Sequence, residues 1–319
     1  VTPDTALAKE AGLELGIKGS IVVNDRMETS VPDIYAAGDA VQVKHYVTGD
    51  DALISLAGPA NKQGRIIADN ICGGDSRYLG SQGSSVIKVF DMTAATTGIN
   101  ETNAKKSGLE VDTVILSPMS HAGYYPGGKV MTMKVVFEKE TYRLLGAQII
   151  GYEGVDKRID VLATAIHAGL KATQLKDLDL AYAPPYSSAK DPVNMAGFMI
   201  DNIAKGTLKQ WHLEDMDKIS RDKSVVLLDV RTVGEFNRGH MDGFKNIPVD
   251  ELRERINEIE KGKPVYLICQ SGLRSYIASR ILEGNGYETY NFSGGFRFYD
   301  AVVNDRALIE RAYACGMDY

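Results

Sequence analysis

The chain has few cysteines and no long apolar run, and each shortage excludes a class of protein. Its 319 residues include only three cysteines, too few and too far apart for a disulfide framework: Cys72, Cys269 and Cys315. No apolar stretch reaches the roughly 18 residues that a membrane span needs. No signal peptide and no zinc-type spacing of Cys and His are visible. We therefore expect a cytoplasmic protein that does not bind a membrane or a metal.

The chain also has no excess of basic residues. The net charge is −6, with 24% charged and 44% hydrophobic residues. This composition is typical of a globular protein, and the acidic balance argues against a nucleic-acid partner. The length predicts two or three domains.

The order of apolar patterns and turn residues divides the chain into an α/β segment, an α+β segment, a linker and a compact α/β segment with a parallel sheet. These segments are 1–80, 81–200, 201–212 and 213–319. The predicted strands are 19–24, 31–37, 86–90, 131–137, 142–150, 225–228, 265–268 and 287–291. The predicted helices are 52–71, 159–170, one after Asp250 and one that Arg274 opens.

Cys269 lies in the most informative pattern of the chain. It follows an apolar strand, and four residues that include Gly272 separate it from Arg274 at a helix start. Such a loop would direct backbone N–H groups and a guanidinium at one sulfur. We expect a nucleophilic thiol that can carry a bound anionic group. A buried structural cysteine is the alternative.

The residues around Cys269 resemble the rhodanese homology domain, a sulfurtransferase domain. The matching motifs are Asp229-Val230-Arg231, Glu235-Phe236, Gly239-His240-Met241-Asp242-Gly243, Asn246-Ile247-Pro248 and Gly294-Gly295-Phe296. The resemblance implies that Cys269 accepts sulfur and that Arg274 opens the next helix. It also implies that the loop amides hold a persulfide: Gln270, Ser271, Gly272 and Leu273. Phosphatases with a related loop have one more residue in it, which makes a phosphatase the lesser alternative.

The run from Thr29 to Ala40 ends a short apolar stretch in Gly38-Asp39. It resembles the second FAD motif of pyridine nucleotide–disulfide oxidoreductases, which implies that Asp39 binds the ribityl chain of FAD. The helix that follows resembles the one whose N-terminus faces the flavin ring in that family. Its candidate flavin contacts are Ala57, Gly58, Pro59 and Ala60. No G-x-G-x-x-G motif is present, so we expect a preceding segment to carry the dinucleotide fingerprints and the redox cysteine of the family.

Residues 85–200 contain the motifs Lys88-Val89-Phe90-Asp91, Thr97-Gly98, His121-Ala122-Gly123-Tyr124-Tyr125-Pro126-Gly127, Lys157-Arg158-Ile159-Asp160 and Ala181-Tyr182-Ala183-Pro184-Pro185-Tyr186-Ser187. With these motifs, the segment resembles the dimerisation domain of the CoA-disulfide reductase and NADH oxidase branch. The resemblance implies a homodimer in which tyrosines reach the flavin site and its thiol substrate. Tyr124 and Tyr182 are the first candidates, followed by Tyr186 and Tyr125. The alternative is that these tyrosines anchor proline-containing turns.

Together, the three resemblances predict an FAD-dependent NAD(P)H reductase of CoA disulfide, CoA persulfide or polysulfide, with a rhodanese domain. Such a protein would use FAD, NAD(P)H and CoA. The alternatives are an NADH oxidase or simple CoA-disulfide reductase with an accessory rhodanese domain, and a non-catalytic dimeric module that binds sulfur.

Overall fold

The computed structural model describes residues 1–314, so Cys315 and the four residues after it lie outside the described part. The first 80 residues contain one long helix and otherwise short elements. These elements are α1 (Ala6–Glu10), β1 (Val43–Lys44), β2 (Asp51–Ala52) and α2 (Ala57–Ile71). The helix prediction is confirmed for 57–71, whereas residues 52–56 precede the helix.

The strands predicted at 19–24 and 31–37 are wrong. Single bridges replace them, such as those from Ile21 to Val41 and from Glu28 to Tyr35. The backbone explains why, because Asp33 has a φ of +63° and turns the chain inside the second stretch. A left-handed residue cannot continue an extended strand.

The middle segment is an antiparallel sheet covered by helices. Its elements are β3 (Ser85–Val89), β4 (Met92–Gly98), α3 (Glu101–Lys106), β5 (Val111–Leu116), β6 (Met131–Glu138), β7 (Leu144–Gly151), α4 (Val155–His167) and α5 (Pro192–Ala204). The strand order is β3-β4-β7-β6-β5. Met133 and Val135 on β6 pack in one core with Leu162 on α4. The strand and helix predictions here are confirmed.

The last segment is built on a five-stranded sheet in which all strand pairs are parallel, as predicted. Its elements are β8 (Gln210–Trp211), α6 (Met216–Ile219), β9 (Val226–Asp229), α7 (Val233–Arg238), β10 (Lys245–Asn246), β11 (Val265–Ile268), α8 (Leu273–Glu283), β12 (Thr289–Phe292) and α9 (Gly295–Ala314). The strand order is β10-β9-β11-β12-β8.

The helix predicted after Asp250 is wrong. Residues 250–255 form turns, and only a 3-10 turn, Ile256–Glu258, is regular. Most backbone bonds in this stretch join residues three apart, as from Leu252 to Val249. This winding is tighter than an α-helix.

Residues 201–212 contain more structure than the predicted linker. Helix α5 extends to Ala204, and β8 is an edge strand of the parallel sheet, with Trp211 buried. Hydrogen bonds join the two sheets across this region. The Ile115 amide donates to Ser293 Oγ at 3.0 Å, and Gln210 Nε2 donates to the Thr113 carbonyl at 2.8 Å. The last segment is therefore fixed against strand β5 of the middle sheet.

Within residues 1–314, none of the helices combines the length and the apolar character needed to cross a bilayer.

Candidate active site

Cys269 directly follows strand β11, and its side chain is 1% exposed. Two donors reach its sulfur. The Gly272 amide lies 3.1 Å from Sγ, and the Ser275 hydroxyl lies 3.2 Å from it. Both groups are placed to donate hydrogen bonds to the sulfur. The sequence predicts several amides at this position, whereas the described residues supply one amide and one hydroxyl.

Ser275 is a site residue that the sequence reasoning missed. It is fully buried in the first turn of α8, where its hydroxyl also contacts the Gly272 carbonyl. The signal was available, because a serine at the start of a helix can turn its hydroxyl back toward the preceding loop.

The loop from Cys269 to Gly272 is held by the start of helix α9. The α9 amides of Phe296 and Arg297 donate to the carbonyls of Cys269 and Gln270 at 2.8 and 3.2 Å. A Cβ placed on Gly295 would lie 2.7 Å from Gln270 backbone atoms, so only glycine permits this approach. The loop is therefore a preorganised turn.

Contrary to the prediction, the Arg274 guanidinium is hydrogen-bonded to a carboxylate rather than to the sulfur. Its two terminal nitrogens each donate to a carboxylate oxygen of Glu235 at 2.7 Å. Glu235 lies in the first turn of α7 and is the stronger acceptor, because a bidentate charged pair outweighs a contact with one sulfur. The same hydrogen bonds lower the pKa of Glu235 to about 2. The pair is therefore ionised throughout the physiological range.

A second ion pair, which is buried, lies beside the loop. Asp229 accepts from the Arg231 guanidinium at 2.7 Å, and both side chains are almost inaccessible. Arg231 also reaches Gln270 Oε1 at 3.5 Å and lies over the Phe296 ring at 3.8 Å. Asp229 thus acts as a framework residue. His240 stacks on Phe236, with 3.9 Å between the two ring centroids.

The two tyrosines that were the first candidates in the middle segment lie together. The hydroxyls of Tyr124 and Tyr182 share a hydrogen bond of 2.7 Å, and both rings are exposed. That bond raises the pKa of Tyr182. Tyr186 is exposed nearby, whereas Tyr125 packs edge-on against His121 at 5.5 Å. Tyr182 and Tyr186 line a cavity of about 560 Å³.

Buried Arg158 joins the loops that carry these tyrosines, and it too was missed as a site residue. Its guanidinium donates to the Ser120 carbonyl at 2.9 Å, to Ser187 Oγ at 3.2 Å and to Asp191 at 2.9 Å. Arg158 and Asp191 are both almost fully buried. We call Arg158 and Asp191 the tyrosine-loop clasp. An arginine within a helical pattern gives no sequence signal for such a role.

The candidate flavin contacts are brought together at the start of α2. The Gly38 amide donates to Gln63 Oε1 of that helix at 2.8 Å, and a Cβ on Gly38 would lie 3.9 Å from Ala60. No side chain caps the helix N-terminus, and the nearby Asp39 carboxylate is exposed. The first backbone amides of α2 can thus bind an electron-rich group. Ala57 and Gly58 are exposed and Pro59 and Ala60 half-buried at this end.

A cavity of about 390 Å³ lies between the middle and last segments and reaches the Cys269 loop. Its lining residues come from both sides, with Met195 and Phe198 on α5 and Ser271 and Gly272 on the loop. In the described part of the chain, two buried polar atoms that belong to lining residues have no hydrogen-bond partner: Ser117 Oγ and Asn291 Oδ1. The cavity lining is mainly apolar, and it includes these two residues whose oxygens lack hydrogen-bond partners.

Three family models match successive parts of the chain. Residues 1–64 match the pyridine nucleotide-disulphide oxidoreductase model, residues 84–192 its dimerisation domain, and residues 212–301 the rhodanese-like domain. This order of domains agrees with the fold described above.

Curated relatives and solved structures agree with these matches. The chain is 39% identical over 193 residues to an NAD(P)H sulfur oxidoreductase (CoA-dependent) of Pyrococcus furiosus, covering 60% of the chain and 43% of that protein. It is 37% identical over 198 residues to a coenzyme A disulfide reductase of Staphylococcus aureus, covering 61% and 44%. The chain therefore spans less than half the length of these curated relatives.

Two solved structures match across both the middle and last segments. Reduced CoADR-RHD of Bacillus anthracis is 47% identical with a TM-score of 0.92, covering 96% of this chain and 55% of that one. A NAD-dependent persulfide reductase from A. fulgidus is 42% identical with a TM-score of 0.85, covering 93% and 54%. The chain thus combines segments that match the pyridine nucleotide-disulphide oxidoreductase model, its dimerisation domain and the rhodanese-like domain, and it is similar to coenzyme A disulfide reductases and to a NAD-dependent persulfide reductase.

Proposed function

We propose that this chain is part of an FAD-dependent NAD(P)H reductase that acts on CoA disulfide, CoA persulfide or polysulfide, and that Cys269 carries sulfane sulfur for it. The observation that carries the proposal is the buried Cys269 sulfur with its two donors, in a chain that also contains flavin-type and dimerisation segments. The names of the relatives support sulfur and CoA chemistry.

The first segment fits a flavin. Asp39 offers an exposed carboxylate to the ribityl hydroxyls, and the uncapped α2 N-terminus can stabilise an electron-rich ring edge. FAD, when bound, would pass electrons from NAD(P)H to a disulfide or persulfide. The residues of this chain would hold its ribityl chain and ring edge: Gly38, Asp39, Ala57, Gly58, Pro59 and Ala60.

The paired tyrosines suit a role at the thiol substrate. Tyr124 and Tyr182 hold their hydroxyls within 2.7 Å of each other on an exposed surface, where they can donate to a thiolate. In a homodimer, we propose that this surface faces the flavin site of the partner subunit. The raised pKa of Tyr182 keeps its hydroxyl protonated as a donor.

The chemistry at Cys269 is a sulfur transfer. The Cys269 thiolate attacks the outer sulfur of an alkyl persulfide, the donor's S–S bond breaks, and the alkyl thiolate leaves while a Cys269 persulfide forms. The Gly272 amide and the Ser275 hydroxyl stabilise the negative sulfur before and after transfer. No oxidant or reductant is consumed in this step.

The interdomain cavity suits the arm of a CoA thiol. A pantetheine arm combines methylene groups with amides, which match the apolar lining and the unpaired Ser117 and Asn291 oxygens. We propose that this flexible arm carries sulfur between Cys269 and the flavin site.

The test uses the complete FAD-loaded enzyme with two assays. Cys269→Ser should abolish NADH-dependent sulfide release from polysulfide but leave the reduction of small disulfides within about twofold, because only the first reaction needs the sulfur carrier. Cys72→Ser is the matched control, since Cys72 is also a free cysteine but is exposed. Equal loss of both activities in Cys269→Ser would contradict the sulfur-carrier role.

A further inference from the structure

The guanidinium groups of Arg274 and Arg231, both close to the Cys269 loop, are bound to carboxylates. Arg274 is held by Glu235 through two bonds of 2.7 Å, and Arg231 is held by Asp229. The sulfur is therefore contacted by neutral donors, the Gly272 amide and the Ser275 hydroxyl. Such a pocket can stabilise one negative charge but offers little to a second.

The space beside the loop agrees with this charge balance. The adjoining cavity is lined mainly by apolar side chains, among them Phe198, Met199 and Leu273. It also includes Lys190, whose exposed side chain is hydrated and screened by salt. The loop thus opens on an apolar space.

Resting on the proposed sulfur-carrier function, we propose that Glu235 is a specificity-determining residue. By holding the Arg274 guanidinium, it makes the Cys269 loop select a sulfur donor with at most one negative charge, an alkyl persulfide, over a dianion such as thiosulfate. With thiosulfate, the Cys269 thiolate would attack the outer sulfur and sulfite would leave. That reaction needs a cation to bind two charges near a thiolate.

Glu235 also takes part in the N-terminal cap of helix α7, so the test variant must keep that cap. The Glu235 carboxylate accepts from the Thr232 amide at 3.0 Å, and the Glu235 amide donates to Thr232 Oγ1 at 3.3 Å. Glutamine serves in the same capping box. Glu235→Gln therefore removes the charge that neutralises Arg274 while the helix start is kept.

The experiment measures Cys269 persulfide formation by intact mass on this chain with two donors, thiosulfate and N-acetylcysteamine persulfide. In Glu235→Gln, the rate with thiosulfate should rise about tenfold or more, because one unpaired positive charge then faces a dianion. The rate with N-acetylcysteamine persulfide should change less than about threefold. Adding Arg274→Gln to this variant should remove the gain.

Glu258→Gln is the matched control, because it breaks another bidentate pair on the same domain, the one with Arg255. It should change neither rate. An unchanged thiosulfate rate in Glu235→Gln, or equal changes with both donors, overturns the specificity role. If the unaltered chain took no sulfur from N-acetylcysteamine persulfide, the sulfur-carrier function itself would fail, which is a distinct result.

Discussion

At the scale of single residues, the Cys269 sulfur depends on a side chain outside the loop. Ser275 lies one residue beyond Arg274 and donates to Sγ at 3.2 Å from a fully buried position. Arginine is attracted to carboxylate, so the guanidinium that was expected near the sulfur binds Glu235. The uncharged serine takes the place at the thiol that the arginine was predicted to hold.

Ser275→Ala should slow alkylation of Cys269 by iodoacetamide at pH 7 by about tenfold. One hydrogen bond to a charged group is worth about 1.5 kcal/mol, which corresponds to that factor. The measurement is intact mass against time. Ser279→Ala is the control, because Ser279 is also buried on α8 but donates to the Tyr276 carbonyl. Equal rates in the Ser275 variant and the unaltered chain would rule out this role.

At the scale of elements, the tyrosine-loop clasp connects segments that are distant in sequence. Arg158 on α4 contacts the loop before β6 through Ser120 and the loop before α5 through Ser187. The Ala122 amide adds a bond of 2.9 Å to the Ser187 carbonyl. The clasp therefore sets the distance between Tyr124 and Tyr182.

Arg158→Met should lower the free energy of unfolding by about 3 kcal/mol or more, since it leaves the buried Asp191 carboxylate without its main cation. It should also return the pKa of Tyr182 toward its ordinary value, because the hydrogen bond with Tyr124 would be lost. Urea unfolding and NMR titration of the tyrosine rings measure the two effects.

Lys157→Met is the control for this prediction, because Lys157 is partly exposed and its contact with Asp191 is longer, at 4.0 Å. Adding Asp191→Asn to the Arg158 variant should recover part of the stability, because the unpaired carboxylate is removed. It should not restore the raised pKa of Tyr182. A stable Arg158→Met with an unchanged Tyr182 pKa would show that the clasp has no positioning role.

Sequence patterns predicted the elements that have strong periodicity and missed those that depend on contacts. The alternation in 131–137 and the i, i+3 spacing of Ile159 and Leu162 both arise from burial against a core. The strand and helix that they predict are confirmed as β6 and α4. The strand predicted at 31–37 does not form, because a turn at Asp33 interrupts the extended backbone. The Glu235–Arg274 pair joins residues 39 apart in sequence, so no local pattern could indicate it.

At the scale of the whole molecule, the two edges of the middle sheet have different surroundings. Its β5 edge binds the last segment through buried bonds, such as that from Ile115 to Ser293. Its opposite edge, the β3–β4 hairpin, exposes apolar side chains on both faces of the sheet. These are Val86, Ile87, Val89, Phe90 and Met92, with Ile150 on the neighbouring β7 and Tyr152 just after it. We call this set the hairpin patch.

An apolar surface of this extent is typical of a protein interface. The match to a dimerisation domain over 84–192 supports a second copy of the chain as the occupant. Phe90 lies at the tip of the hairpin and is 94% exposed, so a partner could bury its whole ring. The patch would then bring the Tyr124–Tyr182 pair of one subunit into a fixed relation with the other.

In the proposed homodimer, Phe90→Glu should weaken the association about 100-fold or more, because a charge would replace a large aromatic contact at the interface. Sedimentation velocity over a range of concentrations measures this shift. Leu7→Glu is the matched control, since Leu7 is 82% exposed and lies outside the patch. A Phe90 variant that dimerises like the unaltered chain would exclude the hairpin patch as the interface. If both variants dissociated alike, the loss would reflect added charge rather than this surface.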